Sequence, residues 1–177
     1  MRQNEEIVSP RSNEGRNSYV TEHITEAMLS LWAEKPMEDI SISELCEKAG
    51  VGRASFYRNF EGKEAVIIDY LHRIFHQYME ESSDTGTQPL SSQLGALFAH
   101  FEKHYSFYKL LSERKMLYLL ENELVDTCGL KPENTMIEAY AKAYAAYAMY
   151  GWVRVWFLRG MQDTAEEITK LFQSQGL

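Results

Sequence analysis

The chain is poor in the residues from which several kinds of protein are built. Of its 177 residues only two are cysteines, Cys46 and Cys128. That is too few for a disulfide framework, and Cys46 reads as a buried thiol in a reducing cytoplasm, the expected location. No signal peptide and no apolar run of bilayer length can be read, so no membrane partner is expected. There is no glycine-rich phosphate loop, no G-x-S-x-G turn and no cysteine close to a histidine. An enzyme is thereby left without its usual machinery, and neither a catalytic residue nor a cofactor is expected. Net positive charge is also lacking. The formal charge of −8 argues against a general polyanion binder.

What is present is helical. Hydrophobic residues make up 45% and aromatics 12%, enough for a core, and the apolar positions recur at spacings of three and four. The expected fold is all-α, about nine helices. An N-terminal head joins through a connector helix to a larger body.

The chain is organised around residues 41–63, SISELCEKAGVGRASFYRNFEGK. Ser41 and Glu44 fit a capping box, and Ile42, Leu45, Cys46 and Ala49 form one apolar face. Gly50 ends that helix and Val51 turns back into the core. Gly52 is placed to cap the next helix, although serine or aspartate caps better. Phe56 and Phe60 stand four apart and pack inward. Arg53, Ser55, Tyr57, Arg58 and Asn59 occupy the other face, with groups suited to phosphates and base edges. This is the punctuation of a helix-turn-helix, which places its second helix in the DNA major groove. From Lys48 to Lys63 four basic residues, Lys48, Arg53, Arg58 and Lys63, stand against the single acid Glu61, a basic helix on an acidic chain.

Ala49-Gly50-Val51, Phe56-Tyr57, Phe60 and Lys63-Glu64, with Ala27, Leu31, Trp32, Ala33, Ile42 and Leu45 upstream, resemble the signature of the tetracycline-repressor-type (TetR) family of bacterial transcriptional regulators. The resemblance covers residues 17–70. Two positions depart from it. Pro36 stands where the family usually has glycine, and Gly52 where it often has serine or threonine, so one phosphate-directed hydroxyl is missing. The resemblance implies a ligand-responsive repressor that binds double-stranded DNA at an inverted repeat as a homodimer. It places Arg53, Ala54, Ser55 and Asn59 against bases or the groove wall, with Arg53 the residue for a bidentate contact to guanine. Ser41, Ser43, Tyr57, Arg58 and Lys63 would contact phosphates, and Gly52 lies in the same DNA-facing set. For Tyr57 the alternative is packing beside Phe56, and for Arg58 a solvated surface charge. The competing function is a helical small-molecule-binding or metal-sensing protein that binds no operator.

In chain order, residues 1–16 read as a flexible arm, either disordered or laying Arg11 or Arg16 into the minor groove. Residues 17–77 form the DNA-binding domain, with its motif at 41–60 and a first helix over 17–35 that ends before Pro36. Residues 78–177 form a ligand-binding and dimerisation domain. The connector helix runs from Lys63 to about Glu81, with Ile67, Leu71, Ile74 and Tyr78 as one stripe and Ile68, Phe75 and Met79 widening it. Asp84 to Pro89 is the clearest break.

In the body, Ser106 is placed to cap a short aromatic helix, Pro132 to start the longest helix, over 133–159, and Asp163 or Thr164 to cap the last. A ligand cavity is expected among Phe98, Phe101, Tyr105, Tyr108, Met116, Tyr118, Tyr144, Tyr147 and Trp152, for an effector of unknown identity; the alternative is that these aromatics are plain core. By the resemblance, the last two helices form a four-helix bundle with a second subunit, through Ala148, Trp152, Val155, Trp156, Ile168, Leu171 and Phe172. His72 with His76 and His100 with His104 stand at i,i+4, a spacing that suits a metal, with Glu80 four beyond His76. Partly exposed helix histidines are the plainer reading, and no metal is expected.

Overall fold

Helical periodicity becomes helix along the whole described chain. The computed structural model describes residues 13–82 and 90–174. Among them are nine α-helices, one 3-10 turn and no strand, as expected. The described chain divides into two units that part between Tyr70 and Leu71, within the fourth helix.

The first unit holds α1 (Asn13–Glu34), α2 (Ile42–Ala49), α3 (Arg53–Asn59) and the first two turns of α4 (Lys63–Glu81). Its core follows from the apolar stripes. Ile24, Met28, Leu31 and Trp32 of α1 are buried with Leu45 and Cys46 of α2, Phe56 of α3, and Val66 and Ile67 of α4. Thr25 is buried among them because its hydroxyl donates to the Thr21 carbonyl at 2.9 Å, which satisfies the polar group inside the helix. α1 starts at Asn13, four residues before the expected start, so Arg16 stands on a helix and not in an arm. Arg11 and the rest of the expected arm lie outside the described residues, as does the break at Asp84 to Pro89. Pro36 ends α1 as expected, and Met37–Asp39 forms the 3-10 turn that leads the buried Ile40 into the core.

The second unit holds the remainder of α4 with α5 (Leu90–Lys103), α6 (Tyr105–Glu113), α7 (Leu117–Thr127), α8 (Met136–Leu158) and α9 (Ala165–Ser174). An aromatic cluster fills its centre. Phe101 meets Tyr108 edge to face at 4.6 Å between ring centroids and stacks with Trp156 at 5.8 Å, and Phe98 and Phe75 complete the group. α5 and α9 approach closely at Gly95, where a Cβ would stand 2.2 Å from Thr169 Oγ1. A larger residue there would drive the two helices apart.

Three expected helix ends move. α6 begins at Tyr105 after His104, so Ser106 lies inside the helix and caps nothing. α8 begins at Met136, not at Pro132, because Thr135 and Glu138 close a capping box that satisfies orphan backbone N–H groups at that point. Thr164 and Glu167 form the second box, as expected, with the Glu167 backbone N–H donating to Thr164 Oγ1 at 3.2 Å. Met79, expected on the apolar face of α4, is exposed.

Candidate nucleic-acid interface

Two short helices and the turn between them build the site. The Ser41 hydroxyl accepts the Glu44 N–H at 3.1 Å and so starts α2. The reciprocal half of the expected capping box is absent, because the Glu44 carboxylate lies on Lys35 instead, with both oxygens 2.8 Å from Nζ. That hydrogen bond from Lys35 holds the Glu44 carboxyl below its ordinary pKa. Gly50 ends α2 with φ +66, a conformation that disfavours any side chain. The Val51 N–H then returns to the Cys46 carbonyl at 3.0 Å, which turns the chain toward α3.

Gly52 is the first residue before α3. Its carbonyl accepts from Ser55 and Phe56, but it offers no side-chain cap. A Cβ there would meet nothing within 4 Å, and the backbone is extended. Gly52→Ser is therefore expected to stabilise the first unit by a few tenths of a kcal/mol, roughly the gap between glycine and serine caps. Chemical denaturation of the two chains side by side measures it.

α3 separates its two faces cleanly. Phe56 is fully buried and Phe60 nearly so, their ring centroids 6.0 Å apart. Arg53, Ala54, Tyr57 and Arg58 are exposed, while Ser55 and Asn59 are half-buried. The Tyr57 ring rests edge-on against Phe56 at 5.3 Å and remains more than half exposed, so it both packs beside Phe56 and faces solvent. Asn59 donates from Nδ2 to the Ser55 carbonyl at 2.7 Å, which spends its amide on closing the helix. Ser41 and Ser43 are exposed at the start of α2.

The four basic residues do not act as one patch. Lys48 pairs with Glu34 at 3.4 Å. Lys63, expected to contact phosphate, points into its own unit. Its ammonium donates to the Met37 carbonyl and to the Ile40 carbonyl, the latter at 2.6 Å. It thereby ties the start of α4 to the turn that follows α1. Among the described residues no carboxylate pairs with Arg53 or Arg58. The open cations are thus two guanidinium groups on α3, groups that recognise phosphate and guanine by paired N–H donors.

In the second unit the expected ligand residues scatter. Phe98, Phe101 and Tyr108 are buried in the close-packed aromatic cluster, Met116 is half-buried, and Tyr105, Tyr118, Tyr144 and Tyr147 are exposed. Helical spacing alone does not say which side of a helix its neighbours cover. The described groove, of about 240 Å³, lies where the dimer residues were expected. Phe98, Trp152, Val155, Trp156, Ile168 and Leu171 line it, with the Arg159–Asp163 pair at one end. Among the expected dimer residues, Val155 and Leu171 are exposed, Ala148, Trp152 and Ile168 half-buried, and Trp156 and Phe172 buried in their own unit.

The histidines do not converge on an ion. His72 bonds Glu123 at 2.6 Å, His76 approaches Glu80 at 3.6 Å, and His100 Nε2 lies 2.7 Å from the Tyr108 hydroxyl. No cluster of three metal-ligating side chains exists among the described residues.

A buried three-helix core, a glycine turn at φ +66 and a short helix with two unpaired arginines facing outward define a helix-turn-helix DNA-binding domain. The comparisons with known proteins narrow the class. Residues 24–70 match the family described as bacterial regulatory proteins, tetR family. Over 127 residues the chain is 28% identical to the uncharacterized HTH-type transcriptional regulator YerO of Bacillus subtilis, covering 67% of this chain and 39% of that protein. It is 40% identical over 48 residues to the HTH-type transcriptional regulator EthR of Mycobacterium tuberculosis, covering 27% of this chain and 22% of the relative. With the HTH-type transcriptional repressor KstR2 of Mycolicibacterium smegmatis it shares 29% over 77 residues, 41% of this chain and 37% of the relative. The chain thus spans two fifths or less of the length of these relatives.

Proposed function

We propose that the chain is a transcriptional repressor that binds an inverted-repeat operator as a homodimer and is released by a small-molecule effector. The observation that carries the reading is the outward face of α3. Arg53, Tyr57 and Arg58 are exposed there, and among the described residues neither arginine has a carboxylate partner, whereas Lys35, Lys48 and Lys63 are each engaged within the head. Arg53 lies in the first turn of α3, the end that meets base edges in helix-turn-helix docking. Tyr57 follows four residues on, along the same side of the helix.

One such helix reads few base pairs. Two copies related by a two-fold axis read both halves of an inverted repeat, with half-sites about 34–36 Å apart or a multiple of that. An effector that binds one dimer state better than another shifts the separation of the two α3 helices and lowers operator affinity, a coupling of typically about 1–3 kcal/mol. Repression is the mode named for the Mycolicibacterium relative, and occupation of an operator gives it directly.

Selection from random duplexes tests the proposal. The full chain is expected to enrich an inverted repeat, and Arg53→Ala to relax preference at one position in each half-site, with a loss of about 1–3 kcal/mol in discrimination there. Failure to enrich any sequence would overturn the reading in favour of a helical ligand-binding protein.

A further inference from the structure

α3 presents its residues in a fixed order around the Phe56 side chain that anchors it. Ala54 and Arg58 each stand two residues from Phe56, so they lie about 160° around the helix from it and point most directly out of the head. Both are exposed. Arg53 and Tyr57 occupy one flank and are exposed, while Ser55 and Asn59 occupy the other and are half-buried. Arg58 belongs to the last turn of α3 and Ala54 to the first, the end that meets base edges in helix-turn-helix docking. The centre of the reading face is therefore a methyl group.

That placement decides what can be read there. In the major groove the base edges carry hydrogen-bond donors and acceptors, and the apolar feature among them is the C5 methyl of thymine, which an alanine methyl can pack upon. An A·T pair can otherwise be read from its adenine, by the amide of an Asn or Gln side chain. The single amide side chain on α3 is Asn59, and it already donates to the Ser55 carbonyl at 2.7 Å. An A·T pair facing α3 is thus left to be recognised from its thymine. Size acts in the same direction. Ala54 projects one carbon from the backbone, so the first turn can approach the bases to van der Waals contact while Arg53 beside it reaches a guanine.

We propose that Ala54 is a specificity-determining residue, whose methyl packs on the C5 methyl of one thymine in each half-site. This deepens the operator reading above and rests on it. Each half-site then carries an A·T pair read from its thymine in addition to the guanine met by Arg53.

Deoxyuridine provides the test, because it pairs as thymidine does and lacks only the C5 methyl. Thymines of the selected operator are replaced one symmetric pair at a time, and the affinities of the full native chain and of its variants are measured on each duplex. At one position in each half-site the native chain is expected to lose about four-fold in affinity per half-site, the worth of one buried methyl group. Ala54→Gly is expected to bind the thymine and uracil duplexes equally well there. Ala54→Ser, with a hydroxyl in place of the apolar contact, is expected to do the same. The ratio of the two affinities is taken within each chain, so any helix stability lost to the substitution cancels. An operator in which no uracil weakens binding overturns the role of Ala54, as does a uracil effect that persists in both variants, and either leaves the operator reading standing. A native chain that enriches no sequence overturns both proposals.

Discussion

Lys63→Met is expected to unfold the DNA-binding head at a markedly lower temperature, instead of merely thinning its contacts with phosphate. The lysine ammonium donates to the Met37 and Ile40 carbonyls, and each bond to a charged donor contributes about 1.5–3 kcal/mol. Methionine keeps much of the stem and removes both bonds; the Met37 carbonyl keeps its bond from the Ile40 N–H at 3.2 Å, while the Ile40 carbonyl loses its lysine donor. The second function of the lysine is geometric. It fixes the first turn of α4 to the turn after α1, and Val66 and Ile67 in that part of α4 complete the core under α3. Loss of the clamp therefore loosens the platform that holds Arg53 and Arg58. Two measurements separate this from a phosphate role. Thermal unfolding should shift downward, and the salt dependence of operator binding by the folded fraction should keep its slope. A phosphate contact would do the reverse, with an unchanged melt and a slope reduced by about one per subunit.

The second large effect is acid sensitivity of the body through His100. This side chain is buried on α5, with Nε2 at 2.7 Å from the Tyr108 hydroxyl and its ring against Phe75, Tyr78, Phe101 and His104. Burial, followed by the nearby His104 and Lys103, pushes its pKa from 6.5 down to about 3. In the unfolded chain the ring protonates at its ordinary value, while in the folded chain it stays neutral. The contribution to stability is therefore fully present above pH 6.5 and is lost as pH falls toward 3. The slope for one proton is about 1.4 kcal/mol per pH unit, so several kcal/mol are at stake across the window. His104, whose pKa is also lowered chiefly by burial, adds in the same direction. Melting temperatures measured from pH 7.5 to 4 should fall steadily for the native chain. For His100→Phe the curve should flatten, at the cost of the bond to Tyr108. A native curve that is flat between those values would show that the histidine is solvated.

Much of the head was legible because its signals are local. Glycine at position 50 needs only the backbone of its own turn, and it adopts φ +66. Phe56 and Phe60, four apart on one short helix, can share only one face, and both are buried. The residues between them were thereby assigned outward before any partner was known. The cations were not legible in the same way. Lys48 and Lys63 read as part of a basic patch, but Glu34 and the carbonyls of Met37 and Ile40 that receive them lie fourteen or more residues away. Thr135 and Glu138 were a local signal that Pro132 overshadowed, since proline often opens a helix but does not have to.

The body was less legible for a related reason. α8 is apolar on more than one side, so its sequence does not distinguish a face that packs on α7 from one that stays exposed. Tyr144 and Tyr147 could equally have lined a cavity, and they stand in solvent. By itself the sequence determined the helical class, the two faces of α3, and the ends set by Gly50, Pro36 and Thr164. Each depends on residues within one or two turns of each other. Only the tertiary structure decided which cations of the head remain unpaired, where His100 is buried and which side of α8 is exposed. Those depend on segments far apart in the chain meeting through packing, and no local spacing encodes that.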